Sequence, residues 1–537
     1  MNLARLLMID LSGPRLTADE RAFLSERRPG GVCLFGRNVA DRFQVASLVA
    51  EMRTLAGPQL IVTVDQEGGG VVRITDLPYP PSAMALGAAD DLDLTRAVAR
   101  ATGHGLRSVG IDVDLAPVAD VNSNPANPVI ADRAFGSQPR HVARHVVAFV
   151  EGLQAAGVAA TVKHFPGHGD AALDSHLALP TLTRSVEQLE QREWPPFIAA
   201  FAAGVAAVMT AHIVLSAVDS ELPATLSRRV ITGLLRERLG FDGVVFSDAL
   251  DMKSIADRWG GAQSAVLALA AGVDMPANVA PLAVHEQTVV AIERAVADGR
   301  LDPEALAASA ARLDRLRDGV RVGPQPAPAP GESAFPNPNL VSARHEDVHP
   351  VPDPASAWRG GAAELLDEAA RRALVGFGEV PRLESGARVV LVAAKTTRQS
   401  AATQATVSPA AGLAAALRER GVTVSEVPYE PATATSAVPR ALQEAERADL
   451  LVLASTTRTT LTSEEVELGA QLARARTPFL HVALWNPYVV SALPGPALVT
   501  FGWRERSVRA AAAALLGETP VTAEAPVPLA PIKGSKA

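Results

Sequence analysis

Residues 159–170 read Ala159-Ala160-Thr161-Val162-Lys163-His164-Phe165-Pro166-Gly167-His168-Gly169-Asp170. The run from Ala159 to Phe165 is an apolar segment of strand length, and it is followed at once by a loop punctuated with Pro and Gly. Near its end the run turns polar, at Lys163 and His164. A strand of a parallel sheet is covered on both faces and is almost uniformly apolar, so polar groups at its C-terminal end need a separate reason. In a (β/α)8 barrel that reason is the active site, which sits at the C-terminal mouth.

The same grammar recurs on both sides of this stretch. Candidate strands run from Leu6 to Asp10, Gly31 to Phe35, Leu60 to Asp65, Ile111 to Pro117, Ala159 to Phe165, Ala206 to His212, Gly243 to Asp248 and Gly272 to Pro276, alternating with amphipathic helical segments. Eight such units in residues 1–322 predict an α/β fold of the (β/α)8 TIM-barrel type. Most end in a polar cluster: VDQEGG (64–69), DLAPVAD (114–120), KHFPGHGD (163–170), MTAHI (209–213) and FSDAL (246–250). One such cluster alone reads as a turn or cap; five converging on one mouth read as a site. The Gly68-Gly69-Gly70 run lacks the spacing and the Lys of a phosphate loop and reads as a close-approach turn.

Past Arg321 the segment VGPQPAPAPGESAFPNPN (322–339) has the Pro and Gly density of a linker, placed over residues 323–358. RVVLVAA (388–394), VTVSEVPY (422–429), DLLVLAS (449–455) and FLHVALW (479–485) then alternate with helical stretches. They predict a C-terminal α/β sandwich domain over 359–520, followed by a loosely held tail over 521–537.

With 537 residues, 48% hydrophobic content and a formal charge of −8, the chain has ample core and no basic surface for phosphates, so nucleic acid is excluded as a partner. No run reaches the roughly 20 apolar residues of a membrane span, and Asp10 breaks the N-terminal apolar run before a signal core is complete. Cytoplasmic location and no membrane partner are therefore expected. The lone Cys33, in Gly-Val-Cys-Leu-Phe, reads as a core thiol. No GxGxxG or GxxxxGK[ST] pattern follows a strand, and no cofactor is expected.

The loop after Lys163 and His164 carries His168, Asp170, Asp174 and His176. Asp174 and His176, two apart in an extended loop, can share a hydrogen bond, and the carboxylate would fix the imidazole tautomer and raise its basicity. A metal site is a rival reading, but the HExxH and facial-triad spacings are absent and no metal is expected. A serine hydrolase is another, and Asp174-Ser175-His176 lacks the GxSxG elbow. Asp248, closing the run Gly243 to Phe246, suits a nucleophile at an anomeric carbon. Asp65, Arg133, Lys163 and His164 suit sugar hydroxyls, with His212 a further contact and Arg73 either a sugar donor or a lock on the loop through a carboxylate.

KHFPGHGD with Asp174-Ser175-His176, VDQEGG, DRAFG (132–136) and FSDALDM (246–252) together resemble the glycoside hydrolases of family 3, and more narrowly the NagZ-type β-N-acetylglucosaminidases. The resemblance implies Asp248 as nucleophile, His176 as acid/base with Asp174 as its partner, and Asp65, Arg133, Lys163 and His164 on the sugar. It implies exo-hydrolysis of terminal β-linked N-acetylglucosamine from a GlcNAc-containing muropeptide or oligosaccharide, by double displacement. Two departures stand out: Gly70 where the family commonly has Arg, and Asp-Ala-Leu-Asp after Ser247 rather than Asp-Asp-Leu-Ser. Two alternatives remain: a phosphorylase using phosphate as acceptor, and a non-catalytic sugar-binding module.

Overall fold

The computed structural model describes residues 2–171, 173, 179–322, 361–395 and 408–529. Eight parallel strands close into a barrel: β1 (Met8–Ile9), β2 (Gly31–Leu34), β3 (Ile61–Val64), β4 (Val113–Asp114), β5 (Ala159–Phe165), β6 (Ala207–Thr210), β7 (Val244–Ala249) and β8 (Met275–Asn278). Each pairs with its sequence neighbours, and β1 closes on β8 through Met8 opposite Ala277. All eight expected strands are present. The last begins later than its expected start, because Gly272 is the left-handed C-cap of helix Gly261–Ala271.

Helices fill every connection, from Ala18–Arg27 between β1 and β2 to Leu282–Ala297 and Pro303–Val322 after β8. Their periodicity explains their seating. Helix Pro139–Ala155 starts with Pro at its first turn and buries Val142, Val146, Phe149, Val150 and Leu153 on one face, against Val98 and Ala99 of helix Leu92–Ser108. All seven residues of β5 are buried, including the polar ones, as expected for a strand with helices outside and barrel interior within.

A second sheet follows: β9 (Val375–Phe377), β10 (Arg388–Ala394), β11 (Thr423–Tyr429), β12 (Leu450–Ser455), β13 (Phe479–Ala483) and β14 (Ala497–Val499). Its order is β9-β14-β13-β12-β10-β11, parallel except for the edge strand β9. Helices cover it in two apolar layers, one around Val389, Leu391 and Leu413 and the other around Val390, Val392 and Leu451. The four expected strands are the contiguous run β13-β12-β10-β11, which ends in the edge strand β11. The expected linker lies outside the described residues. Of the expected tail, residues 521–529 are described: Val527 is buried in an apolar cluster with Met84 and Val375, and the carbonyl of Pro526 accepts from Ser137 N at 3.1 Å.

Several contacts join the second domain to loops at the barrel mouth. Ser82 Oγ donates to Phe501 O at 2.7 Å, Asn122 Nδ2 to Tyr488 Oη at 2.8 Å, and Arg504 Nε to Gly69 O at 2.7 Å. Arg458 donates to the carbonyl of Val129.

Candidate active site

A cleft of about 330 Å³ opens where the C-terminal ends of the barrel strands meet. Phe35, Val71, Leu115, Met209 and Met252 give it apolar walls, and Asp65, Arg73, Arg133, Lys163, His164 and Asp248 supply polar groups. A second cavity of about 320 Å³ lies at the opposite end, beside Gly157, Ala206 and Gly243, residues that precede the strands. The first has the convergent polar groups expected of a binding site.

One wall of the cleft is an alternating chain of charges. Asp65, just past β3, accepts from Lys163 Nζ at 2.7 Å and from Arg73 at 3.2 Å. Lys163 also reaches Glu67 at 2.5 Å, and Glu67 takes both forks of Arg133 at 2.7 Å each. Arg133 Nη2 meets His164 Nε2 at 3.3 Å, while His164 Nδ1 lies 2.7 Å from Asp120. Because a guanidinium only donates, His164 accepts at Nε2 and donates from Nδ1 to Asp120, which fixes its tautomer. Asp120 also accepts from the backbone of His168 at 2.6 Å and so pins the start of the His/Asp loop.

Burial alone would push these carboxyls up and the Lys163 ammonium down. For Asp65 the charges of Lys163 and Arg73 outweigh burial and hold the carboxyl below its ordinary range. Glu67 is lowered strongly by Arg133 and Lys163 in the same way, and Lys163 is raised by Asp65 and Glu67. Asp65, Glu67, Lys163 and Arg133 are therefore charged near neutrality: Asp65 is an acceptor of hydroxyl hydrogens, and Lys163 and Arg133 are donors. His168 is lowered to about 4, by burial first, and is neutral there.

The Gly68–Gly69 turn puts Glu67 in reach. Gly68 has φ +103°, and a Cβ there would stand 2.3 Å from Pro81 O, so neither the backbone conformation nor the space admits a side chain. Gly169 is equally constrained, with Val121 O at 1.7 Å from any Cβ.

The facing wall is anionic. Asp248 sits on β7, half-buried, with one carboxylate oxygen 2.8 Å from Ala249 N. Its neighbour Ser247 accepts from Ala277 N at 2.8 Å and fastens β7 to β8. Asp251, at the rim, is raised to about 6, by desolvation first and then by Asp10 and Asp248. A cation developing at a bound sugar would meet negative charge on this side.

Asp65, Arg73, Arg133, Lys163, His164 and Asp248 thus come together as the sequence reading expects, and Arg73 is the carboxylate-bound lock as well as a lining group. His212 differs. It is fully buried and does not line the cleft, with Nε2 2.9 Å from Ala249 O and Nδ1 2.8 Å from Thr225 Oγ1, so it supports the strand bearing Asp248. β6 ends at Thr210, so His212 lies two residues past the strand. Asp174 and His176 lie outside the described residues. Sequence reading missed Glu67 and Asp120, although each sits in a motif it had quoted.

The profile of the glycosyl hydrolase family 3 N-terminal domain matches residues 1–316. A beta-hexosaminidase from Methylococcus capsulatus is 43% identical over 274 residues, spanning 50% of this chain and 80% of that protein. A beta-hexosaminidase from Xanthomonas axonopodis is 37% identical over 325 residues, spanning 59% and 95%. Among solved structures, a glycoside hydrolase family 3 beta-N-acetylglucosaminidase from Paenibacillus sp. is similar with a TM-score of 0.85 and 32% identity, over 98% of both chains. The chain is a glycoside hydrolase and belongs to glycosyl hydrolase family 3.

Proposed function

We propose that the protein is a retaining exo-β-N-acetylglucosaminidase that removes terminal, non-reducing β-linked N-acetylglucosamine, with peptidoglycan-derived muropeptides in the cytoplasm as natural substrate. The observation that carries this reading is the pairing of Asp248, on one wall of the cleft, with the charged groups Asp65, Lys163 and Arg133 and the neighbouring His164 on the other. The names of the relatives supply the sugar.

In this mechanism Asp65 accepts hydroxyl hydrogens while Lys163 and Arg133 donate, seating the terminal sugar with C1 toward Asp248. Asp248 attacks C1, and protonated His176, oriented by Asp174, gives its proton to the departing oxygen. A glycosyl-enzyme ester results. His176, now neutral, takes a proton from water as that water attacks C1 and frees Asp248.

A panel of aryl β-glycosides, assayed in phosphate and in phosphate-free buffer, tests the reading. Selective release of free N-acetylglucosamine over glucose and xylose is expected in both buffers. Preference for a glucoside, or accumulation of sugar 1-phosphate, would contradict it.

A further inference from the structure

Outside the cleft, on the flank of the barrel, Asp90, His141 and His145 converge. Helix Pro139–Ala155 carries the two histidines four residues apart, one turn on the same face. Asp90 is the left-handed C-cap of helix Ala83–Ala89, with φ 42°. Its Oδ1 lies 3.5 Å from His141 Nδ1 and 3.4 Å from His145 Nε2, and one ligand atom from each residue falls within 4.8 Å of the others. None of the three lines the cleft.

Hydrogen bonding sets the direction of one lone pair. Thr95 Oγ1 donates to Asp91 O at 2.9 Å, so toward His145 Nδ1, 3.0 Å away, it acts as acceptor. The Nδ1 proton is thereby fixed, and Nε2 of the neutral ring presents its lone pair to the Asp90 oxygen. Two acceptors face each other, and something positive belongs between them. The separations exceed the roughly 2.7–2.9 Å of a charge-assisted hydrogen bond. The two Asp90–His separations are instead close to the edge of a tetrahedron built on metal–ligand bonds of about 2.0–2.1 Å, about 3.3–3.4 Å, while the two imidazole nitrogens lie within 4.8 Å of each other.

The rings are held where they are. His145 is fully buried and stacks on Phe135, with centroids 5.3 Å apart and planes 16° off parallel, and the two imidazoles are 4.7 Å apart. The Asp90 side chain is 54% exposed, which leaves an entry path from solvent. Arg144 also faces Asp90, at 3.6 Å, but its own side chain is 54% exposed and can turn out to water.

We propose that Asp90, His141 and His145 form a three-ligand site for a transition-metal dication of the Zn2+ class, with water in the fourth position. Two imidazoles and one carboxylate oxygen suit Zn2+ and not Mg2+ or Ca2+, which take oxygen ligands. Thr95 is the outer group that fixes the His145 tautomer. The metal would clasp the end of helix Ala83–Ala89, whose N-cap Ser82 is tied to Phe501, to the helix that follows the Arg133 segment. Its role is to brace the barrel.

The full chain, stripped with chelator and dialysed, is titrated with ZnCl2 alone by calorimetry, beside His141→Gln and Asp90→Asn. Wild type should take up one more equivalent of Zn2+ than either variant, and Zn2+ should raise its thermal midpoint by several degrees while leaving those of the variants in place. Comparison with the variants subtracts any Zn2+ held in the cleft. Equal stoichiometry and affinity in all three proteins would overturn the site and leave a hydrogen-bonded cluster. An equal thermal shift with MgCl2 would overturn the metal class.

Discussion

Glu67 holds two buried cations at once, Arg133 through both oxygens and Lys163 through one. Removing the anion would leave the two cations facing each other out of water. Breaking a buried pair from one side costs about 3–5 kcal/mol, so Glu67→Gln should lose stability of about that size in urea unfolding, and kcat/KM should fall with it. Unchanged stability would mean that the wall is not the desolvated network its distances describe. Glu67 and Asp120 were invisible as partners in the sequence for one reason. Glu67 and Arg133 are 66 residues apart, and Asp120 and His164 are 44 apart, and only the side-by-side pairing of β3 with β4 and of β4 with β5 brings them together. For His212 a polar residue at a strand end is legible, but its partners Thr225 and Ala249 are not.

At the level of elements, the barrel strands were legible because each is a short apolar run between helical segments, and β5 declared the mouth through Lys163 and His164. The second sheet was legible on one side only, since β9 and β14, paired at the other, are three residues each, too short for any periodicity to register. The surroundings of Gly167 were not legible. Glu193, the C-cap of helix Val186–Arg192, is fully buried beside it, and its carboxyl oxygens have no hydrogen-bond partner among the described residues. Burial first, then Asp120 and Asp170, raise it to about 8 from an ordinary 4.5. The raised value means that the native state keeps a proton the unfolded chain releases, so stability falls as pH rises from about 4.5 through 8. Glu193→Gln should flatten that fall by on the order of 2–4 kcal/mol between pH 5 and 8.5, compared by chemical denaturation. Asp114, also raised to about 8 by burial, keeps a residual slope in the variant. An identical slope in both proteins would show that Glu193 is ionised in the native state.

The whole molecule joins a barrel that carries the cleft to a sheet domain that grips the loops around it. Arg504, on the second domain, holds the carbonyl of Gly69, two residues from Glu67, and stacks near Trp503 and Tyr79. Arg504→Ala should raise KM several-fold with a smaller change in kcat, because it loosens the turn that positions the sugar-binding wall and leaves the Asp248 strand intact. Equal kinetic constants would show that the domains are coupled in space only. Double displacement requires Asp248 to form a covalent glycosyl-enzyme. His176→Ala, in which the ester should form from an activated aryl N-acetylglucosaminide and hydrolyse slowly, is quenched and mapped by peptide mass spectrometry. One N-acetylhexosamine on the peptide containing Asp248, absent when Asp248→Ala is added, is the predicted result; no adduct, or an adduct on another residue, would contradict it.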